Sequence, residues 1–173
     1  MSCLDEWRDV ESFLEAAFEG KVRKNGDPMV DHSRRVGRAL AAAGYDAVTV
    51  FGGYGHDLLE DTDVTREQLH AFALTIFGNE ADATAAVQLV EDCSYSEDEC
   101  KLPKPERKAA ACARWIASSD PRVHAVKSFD VDDNEVSAPS VSQVFYETYM
   151  AWAGPLRENL RALLGLGTPA PKV

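Results

Sequence analysis

The stretch GHDLLEDTDVT, residues 55–65, places four side chains of metal-binding or acid–base type within six positions: His56, Asp57, Glu60 and Asp61. On a helix, His56 and Glu60 share one face, and Asp57 and Asp61 repeat that spacing one residue later. Acids at the end of a helix oppose the helix dipole, so helix stability does not explain them. Two interpretations remain: an acidic helix end entering a surface turn, or half of a metal site with its acid–base partners.

The residues on both sides of this stretch favour helices. Apolar residues at helical spacing, with glycines and capping residues at the ends, predict helices over about 4–18, 30–43, 46–61, 65–78, 80–92, 105–117, 121–134, 140–153 and 155–164. The polar segment CSYSEDECKLPKP, residues 93–105, is predicted to be an exposed loop. No alternating pattern predicts a strand. We therefore expect an all-α fold, a single bundle of about eight helices.

Composition limits the classes of function. The 173 residues suit one domain. A net charge of −11 argues against nucleic acid as the main partner, but it allows a small phosphorylated substrate where a metal and local cations reverse the potential. No apolar run could span a membrane, and the acidic start does not resemble a signal peptide. Four cysteines without a CxxC pair indicate reduced thiols and a cytoplasmic protein, whose oligomeric state stays open.

Histidines and carboxylates at three places in the chain form a candidate metal site. His32 lies near the start of the second predicted helix, His56 and Asp57 lie in the third, and Asp130 lies in a later helix. Imidazole and carboxylate ligands suit Mn²⁺, Fe²⁺ or Zn²⁺. Lys127 and Asn134 share a helix face with Asp130. Taken one by one, such histidines are usually hydrogen-bonded core or surface residues, so spacing alone does not bring the ligands together.

Three segments together resemble a known family. They are RKNGDPMVDH at 23–32, GHDLLEDTDVT at 55–65 and VKSFDVDDN at 126–134. In this order they resemble the HD-domain hydrolases of the RelA/SpoT type, above all the small stand-alone hydrolases of the metazoan SpoT-homologue kind. LPKPERK at 102–108 and YMAWA at 149–153 add to the likeness. The resemblance covers about residues 18–164.

The resemblance implies an HD-type phosphohydrolase domain over residues 1–165, followed by a flexible tail over 166–173. It implies one Mn²⁺ ion, with Fe²⁺ or Zn²⁺ as alternatives. The implied metal ligands are His32, His56, Asp57 and Asp130. The implied catalytic acids are Glu60 and Asp61. The implied substrate-binding residues are Arg23, Lys24, Asn134 and Tyr149.

Several positions depart from the family pattern. Met29 stands where the family usually has tyrosine, Ser33 where it has proline, and Phe145 where it has arginine. KSFD replaces the usual KLAD, and GGYG precedes the HD pair in place of other small or aliphatic residues. None of these changes removes an implied ligand or acid. Met29 and Phe145 do remove polar or cationic groups from the substrate side, so the chemistry is better supported than the substrate.

The activity that the resemblance implies is (p)ppGpp 3′-pyrophosphohydrolysis, with GDP or GTP and pyrophosphate as products. Hydrolysis of another phosphorylated nucleotide, such as the removal of phosphate from NADPH, is the nearest alternative. A second class is a non-catalytic nucleotide-sensing module on the same fold. A helical scaffold without a ligand is a third. Turnover separates the first class from the other two.

Overall fold

The computed structural model describes residues 7–166, and within them it contains helices and turns but no strand. The helices are α1 (Arg8–Ala17), α2 (Met29–Ala42), α3 (Ala47–Gly55), α4 (Leu58–Asp61), α5 (Arg66–Phe77), α6 (Glu80–Cys93), α7 (Glu97–Cys100), α8 (Lys104–Ala117), α9 (Pro121–Ser137) and α10 (Gln143–Leu163). A 3-10 turn, Ala138–Ser140, joins α9 to α10. Eight of the helices in this described part have nine or more residues, so the predicted all-α class is confirmed.

Helix α3 is the centre of the bundle. Its residues from 48 to 55 are all buried, and α2, α6 and α9 pack around it. Two glycines allow α2 and α3 to approach closely. A Cβ added at Gly53 would lie 2.3 Å from Leu40 Cδ1, and one added at Gly37 would lie 2.4 Å from Tyr54 Cγ. The glycines that weaken the helical pattern of this segment are therefore required by its packing.

Local signals placed most helix ends correctly. Thr65 and Gln68 form the predicted capping box at the start of α5, and Gly78 ends that helix with a left-handed φ of 67°. Asp46 caps α3 by accepting from the Thr49 amide. Each of these signals lies within one turn of the helix end that it sets, which is why the sequence alone sufficed.

Three predicted boundaries were wrong. The third helix is not continuous over 46–61, because α3 stops at Gly55 and α4 starts at Leu58. The predicted loop over 93–105 contains α7, which a second capping box starts at Ser96. The last two predicted helices form one helix, α10, with Pro155 inside it. There, burial of Ala153, Leu156 and Leu160 on one face offsets the amide lost at proline.

Other predictions fall partly outside the described part. The first predicted helix began near residue 4, and residues 1–6 lie outside the described residues. The flexible tail over 166–173 lies almost wholly outside them, so the domain boundary at 165 stays a prediction. The three described cysteines, Cys93, Cys100 and Cys112, form no disulfide. No helix in the described range is long and apolar enough to cross a membrane.

Candidate metal centre and substrate cleft

The four predicted ligands converge from three parts of the fold. His32 comes from α2, His56 and Asp57 from the break between α3 and α4, and Asp130 from α9. The two Nε2 atoms of the histidines lie 3.2 Å apart. His32 Nε2 lies 3.2 Å from Asp130 Oδ1, and His56 Nε2 lies 3.3 Å from Asp57 Oδ2. His32, His56 and Asp130 are buried, and each could offer one ligand atom to a shared ion.

The other nitrogen of each imidazole is already engaged. His32 Nδ1 lies 2.7 Å from Asp133 Oδ2, and His56 Nδ1 lies 2.8 Å from the carbonyl oxygen of Gly53. Both partners only accept, so both Nδ1 atoms donate, and in the neutral ring the Nε2 lone pairs are free. Those lone pairs point at each other and at two carboxylate oxygens. An arrangement of acceptors without a donor between them fits a divalent cation.

The electrostatics of the cluster support the same conclusion. Burial opposes a charge on His56, but the carboxylates of Asp57 and Asp130 outweigh it and raise the pKa of His56 to about 10. When no cation is present, a proton therefore neutralises part of the negative charge of the site. A divalent cation would take the place of that proton.

The break after α3 brings His56 and Asp57 to the same point. Consecutive residues of an unbroken helix point about 100° apart, because the helix has 3.6 residues per turn. The chain leaves the helix at His56 and resumes it at Leu58, so both side chains can reach one position. The helical face that the sequence predicted for His56 and Glu60 is thus replaced by a turn.

Asp133 contacts the candidate ligand His32, and sequence reasoning missed it. Besides His32, it accepts two hydrogen bonds from Arg35, from Nε at 2.6 Å and from Nη2 at 3.0 Å. Burial opposes the charge on Asp133, but these donors lower its pKa to about 2. The residue therefore stays ionised and fixes the ring of His32. A signal existed: Arg35 follows His32 by three positions, and Asp133 follows Asp130 by three.

Glu60 and Asp61 line the cleft beside the candidate metal ligands, as do His32, Asp57 and Asp130. The backbone amide of Tyr95 donates to Glu60 Oε1 at 2.9 Å, which fixes that carboxyl from the segment after α6. Burial raises the pKa of Glu60 to about 7, against the attraction of Lys127. Burial and the nearby Asp57 also raise the pKa of Asp61. A carboxyl with a pKa near neutral can accept and return a proton.

Lys127, Asp130 and Asn134 lie on one face of α9, as their spacing predicted. Lys127 Nζ lies 2.7 Å from Asp130 Oδ2 and 4.3 Å from the centre of the Trp115 ring. Asn134 Nδ2 donates to Asp130 Oδ1 at 2.6 Å. Two neighbours therefore orient the Asp130 carboxylate, and the buried ammonium offsets its charge.

The four predicted substrate-side residues line the same cleft, which has a volume of about 390 Å³. Arg23 donates to Asn134 Oδ1. Lys24 lies with its ammonium 4.5 Å from the centre of the Phe145 ring. Tyr149 packs against Phe145 and Trp152. The structure thus brings together all ten residues that the sequence proposed, although their roles stay predictions.

Comparisons with known proteins find relatives in sequence and in fold. No protein-family model matches the chain. The chain is 31% identical over 135 residues to an Aquifex aeolicus guanosine-3′,5′-bis(diphosphate) 3′-pyrophosphohydrolase, a match that covers 75% of this chain and 17% of that protein. It is 42% identical over 55 residues to the Vibrio cholerae protein of that name, covering 32% of this chain and 8% of the relative. A Streptomyces coelicolor GTP pyrophosphokinase is 30% identical over 127 residues, 71% of this chain and 14% of the relative.

A solved structure of a metazoan ortholog of SpoT, described as hydrolysing ppGpp, shares the fold. Its TM-score is 0.72 at 23% identity, with coverage of 90% of this chain and 85% of the other. Over most of its length the chain is similar to proteins of the RelA/SpoT type, and it shares the fold of the metazoan SpoT ortholog. It spans at most 17% of the length of the three curated relatives named above.

The departures from the RelA/SpoT pattern lie where the sequence predicted them. Met29 and Phe145 both line the cleft, as do Arg23 and Tyr149. Phe145 carries no positive charge, and Lys24 lies over its ring instead. Ser33 is buried in α2, away from the lining of the cleft, and its hydroxyl has no hydrogen-bond partner. The four candidate ligands thus converge as the resemblance implies, and the apolar departures Met29 and Phe145 lie elsewhere in the same cleft.

Proposed function

We propose that this chain is a divalent-metal-dependent phosphohydrolase that releases pyrophosphate from the 3′ position of (p)ppGpp and leaves GDP or GTP. The observation that carries the proposal is the convergence of the side chains of His32, His56, Asp57 and Asp130 beside two cleft carboxyls. The printed names of the relatives and of the structural neighbour support the substrate. Mn²⁺ is the proposed ion, with Fe²⁺ or Zn²⁺ as alternatives.

One group of residues activates the attacking water, and another binds the nucleotide. A cation in the cluster would neutralise phosphate charge and make a coordinated water more acidic. Glu60 and Asp61 orient the attacking water, and Glu60 accepts its proton as the water oxygen bonds to phosphorus. The 3′ oxygen leaves with the electron pair of the broken P–O bond and takes up a proton. Arg23, Lys24, Asn134 and Tyr149 hold the nucleotide along the cleft.

The decisive experiment is incubation with Mn²⁺ and a panel of phosphorylated nucleotides, followed by identification of the products. We expect ppGpp to yield GDP and pyrophosphate. Glu60→Gln and Asp61→Asn should keep the metal, and at least one should lose about 10²–10⁴-fold in rate. Because Glu60 acts as a base only when ionised, the wild-type rate should fall below about pH 7. Full turnover in both variants would contradict the assignment of the acids.

Met29 and Phe145 favour a second candidate with the same chemistry. They leave the substrate side less polar than the RelA/SpoT pattern, which suits another phosphorylated nucleotide, such as NADPH losing phosphate. The same panel separates the two by product. A protein that binds these nucleotides and cleaves none would instead be a sensor. We also propose a cytoplasmic location, which the three unbridged cysteines support.

A further inference from the structure

The peptide group between Ser94 and Tyr95 is hydrogen-bonded at both of its polar atoms. Its N–H donates to Glu60 Oε1 at 2.9 Å, and its carbonyl oxygen accepts from Arg114 Nη2 at 2.6 Å. No peptide bond within residues 7–166 is cis, so the N–H and the carbonyl of this planar group point in opposite directions. Arg114 and Glu60 therefore hold opposite ends of one rigid unit.

The last turn of α8 also fixes the chain on both sides of this peptide. Arg114 Nη1 donates to the carbonyl oxygen of Asp92 at 2.7 Å, and Trp115 Nε1 donates to the same oxygen at 3.0 Å. Arg114 Nε and Nη2 donate to the Glu99 carboxylate, each at 2.9 Å. That carboxylate accepts in turn from the Ser96 amide at 2.8 Å. The guanidinium thus holds the backbone before the peptide directly, and the backbone after it through Glu99.

The carboxyl of Glu60 needs a contact of this kind. Glu60 belongs to α4, a helix of only four residues, and a glutamate side chain keeps several rotamers unless a partner selects one. The Tyr95 amide binds one carboxylate oxygen, and the other can then face a water in the cleft that Glu60 lines. The position of the carboxyl therefore depends on the position of the peptide.

The guanidinium acts on this peptide in two ways. Hydrogen bonds from a charged donor are stronger than those between neutral groups, so the carbonyl of Ser94 is held firmly. Hydrogen bonds in series also polarise one another, so a cation at the carbonyl strengthens the N–H at the other end as a donor to Glu60. Among the described residues that line the cleft, Trp115 is present and Arg114 is absent. Arg114 thus reaches the site through the peptide, without touching the substrate.

We propose that Arg114 is a positioning residue for the hydrolysis: it holds the Ser94–Tyr95 peptide, whose N–H fixes the carboxyl of Glu60 toward the attacking water. The inference deepens the proposed function and rests on it for the role of Glu60. Three consequences can be measured. Arg114 should affect turnover and not binding, its effect should require Glu60, and the Tyr95 amide should report its loss.

Kinetics with ppGpp and Mn²⁺ test the first two consequences. We expect Arg114→Gln to lower kcat by up to about 10²-fold, with KM and metal content unchanged, because a small displacement of a reacting group is costly. Arg114→Lys keeps the charge but not the forked contacts, so its loss should be smaller. In the Glu60→Gln background, Arg114→Gln should lower kcat little further, since the group that it positions no longer accepts a proton. A wild-type kcat in Arg114→Gln, or an equal fold loss in both backgrounds, overturns the proposal.

Arg122→Gln is the matched control. The side chain of Arg122 is 34% exposed, against 35% for Arg114, and its guanidinium donates to Asp120 at the start of its own helix. The variant therefore removes a similar ion pair that does not reach Glu60, and kcat should stay unchanged. A loss as large as that of Arg114→Gln would identify general destabilisation as the cause and overturn the proposal.

Hydrogen exchange of the Tyr95 amide, followed by NMR on the full chain, needs no turnover. Arg114→Gln and Glu60→Ala should each speed its exchange about threefold to tenfold, as for loss of one hydrogen bond. The Thr49 amide, which donates to Asp46 at 2.8 Å, should keep its rate in both variants. Equal acceleration of the two amides would mean general loosening and overturns the proposal.

This measurement also separates a failed inference from a failed function. If no phosphorylated nucleotide is cleaved, the proposed function fails, and the exchange rates still decide whether Arg114 fixes the contact of Tyr95 with Glu60. If Arg114→Gln does not fold, Arg114→Lys supplies both measurements. A Tyr95 amide that exchanges at the wild-type rate in the folded variants overturns the inference, whatever the substrate.

Discussion

At the residue scale, the state of the candidate metal centre depends on which imidazole nitrogen carries the proton. Asp133 and the Gly53 carbonyl each accept a hydrogen bond from the Nδ1–H of a histidine, which leaves both Nε2 atoms for a cation. A cation that binds only the folded chain also stabilises it. Residues assigned as ligands should therefore affect metal content and stability together.

Replacing a ligand tests this coupling. We expect His56→Ala and Asp57→Ala to lower both the metal content of protein purified without chelator and the midpoint of thermal unfolding. Metal analysis and a melting curve measure the two quantities. His70→Ala is the control. His70 lies on α5, which carries none of the candidate ligands, and it contacts Thr84 and Glu80. Normal occupancy in both ligand variants would refute the site.

The residue behind His32 allows a finer test. Asp133→Asn keeps the size of the side chain but weakens its pairing with Arg35 and its hold on the imidazole. Loss of such a supporting residue typically costs about 10–100-fold in metal affinity. Calorimetric titration with Mn²⁺ measures it. The matched control is Asp132→Asn on the same helix, whose carboxylate faces Arg157. Equal effects of the two changes would mean that general destabilisation is the cause.

Arg23 belongs to the substrate side of the site. Its guanidinium is anchored to Asn134, so its planar face is fixed in the cleft. We expect Arg23→Ala to raise KM on the nucleotide that is cleaved while metal content stays normal. Arg23→Lys should restore affinity only in part, because lysine cannot reproduce a planar stack or a forked contact. An unchanged KM in Arg23→Ala would place this segment outside the site.

At the scale of elements, the contact between α2 and α3 sets the distance between His32 and His56. Both helices carry a glycine where they cross, and Gly53 also supplies the carbonyl that orients His56. A methyl group at Gly53 would push Leu40 or separate the helices. The packing of this pair and the geometry of the metal cluster are therefore coupled.

Alanine scanning of glycines should show this coupling. Gly53→Ala should destabilise the protein by about 1–3 kcal/mol, because overpacking outweighs the gain in helix propensity. Gly154→Ala in α10 is the control, because its nearest foreign atom is Met150 Cε at an ordinary 3.6 Å. That change should be neutral or stabilise by up to about 1 kcal/mol. Urea unfolding measures both, and the reverse order of stabilities would contradict the close approach.

At the scale of the whole molecule, ion pairs join consecutive helices. Glu11 of α1 accepts two hydrogen bonds at 2.7 Å from Arg38 of α2. Glu99 of α7 accepts two at 2.9 Å from Arg114 of α8, which also donates to the Asp92 carbonyl. The hydrogen bonds from Arg38 and Arg114 are the main reason that the pKa of each glutamate is lowered. Such carboxylates make stability depend on pH.

The sign of that dependence follows from the lowered pKa values. An unfolded glutamate titrates near 4.3, so the stabilisation from Glu11 and Glu99 is complete above about pH 5 and is lost as the pH falls through the folded values. We expect Glu11→Gln with Glu99→Gln to lose about 1–3 kcal/mol at pH 7 and to lose less on further acidification than wild type. Unfolding by urea at pH 7 and pH 4 measures this. The exposed pair Glu19→Gln with Glu158→Gln should change neither quantity.

The sequence by itself determined the helices and the chemical types in the site. Helix ends follow from groups within one turn, such as the box of Thr65 and Gln68, so short-range patterns placed them correctly. The ligand types followed from the few histidines and their acidic neighbours. One local prediction was wrong: the helical period placed His56 and Glu60 on one face of a continuous helix, but the helix is broken at residues 56–57.

Only the tertiary structure decided how these parts meet. His32 and Asp133 are 101 positions apart, and their contact exists because α2 and α9 pack on the same central helix. The break at residues 56–57 and the continuation of α10 through Pro155 arise in the same way, from distant side chains that outweigh local preference. Spacing along the chain carries no information about a partner a hundred residues away, because the free energy that selects it comes from burying the faces between them.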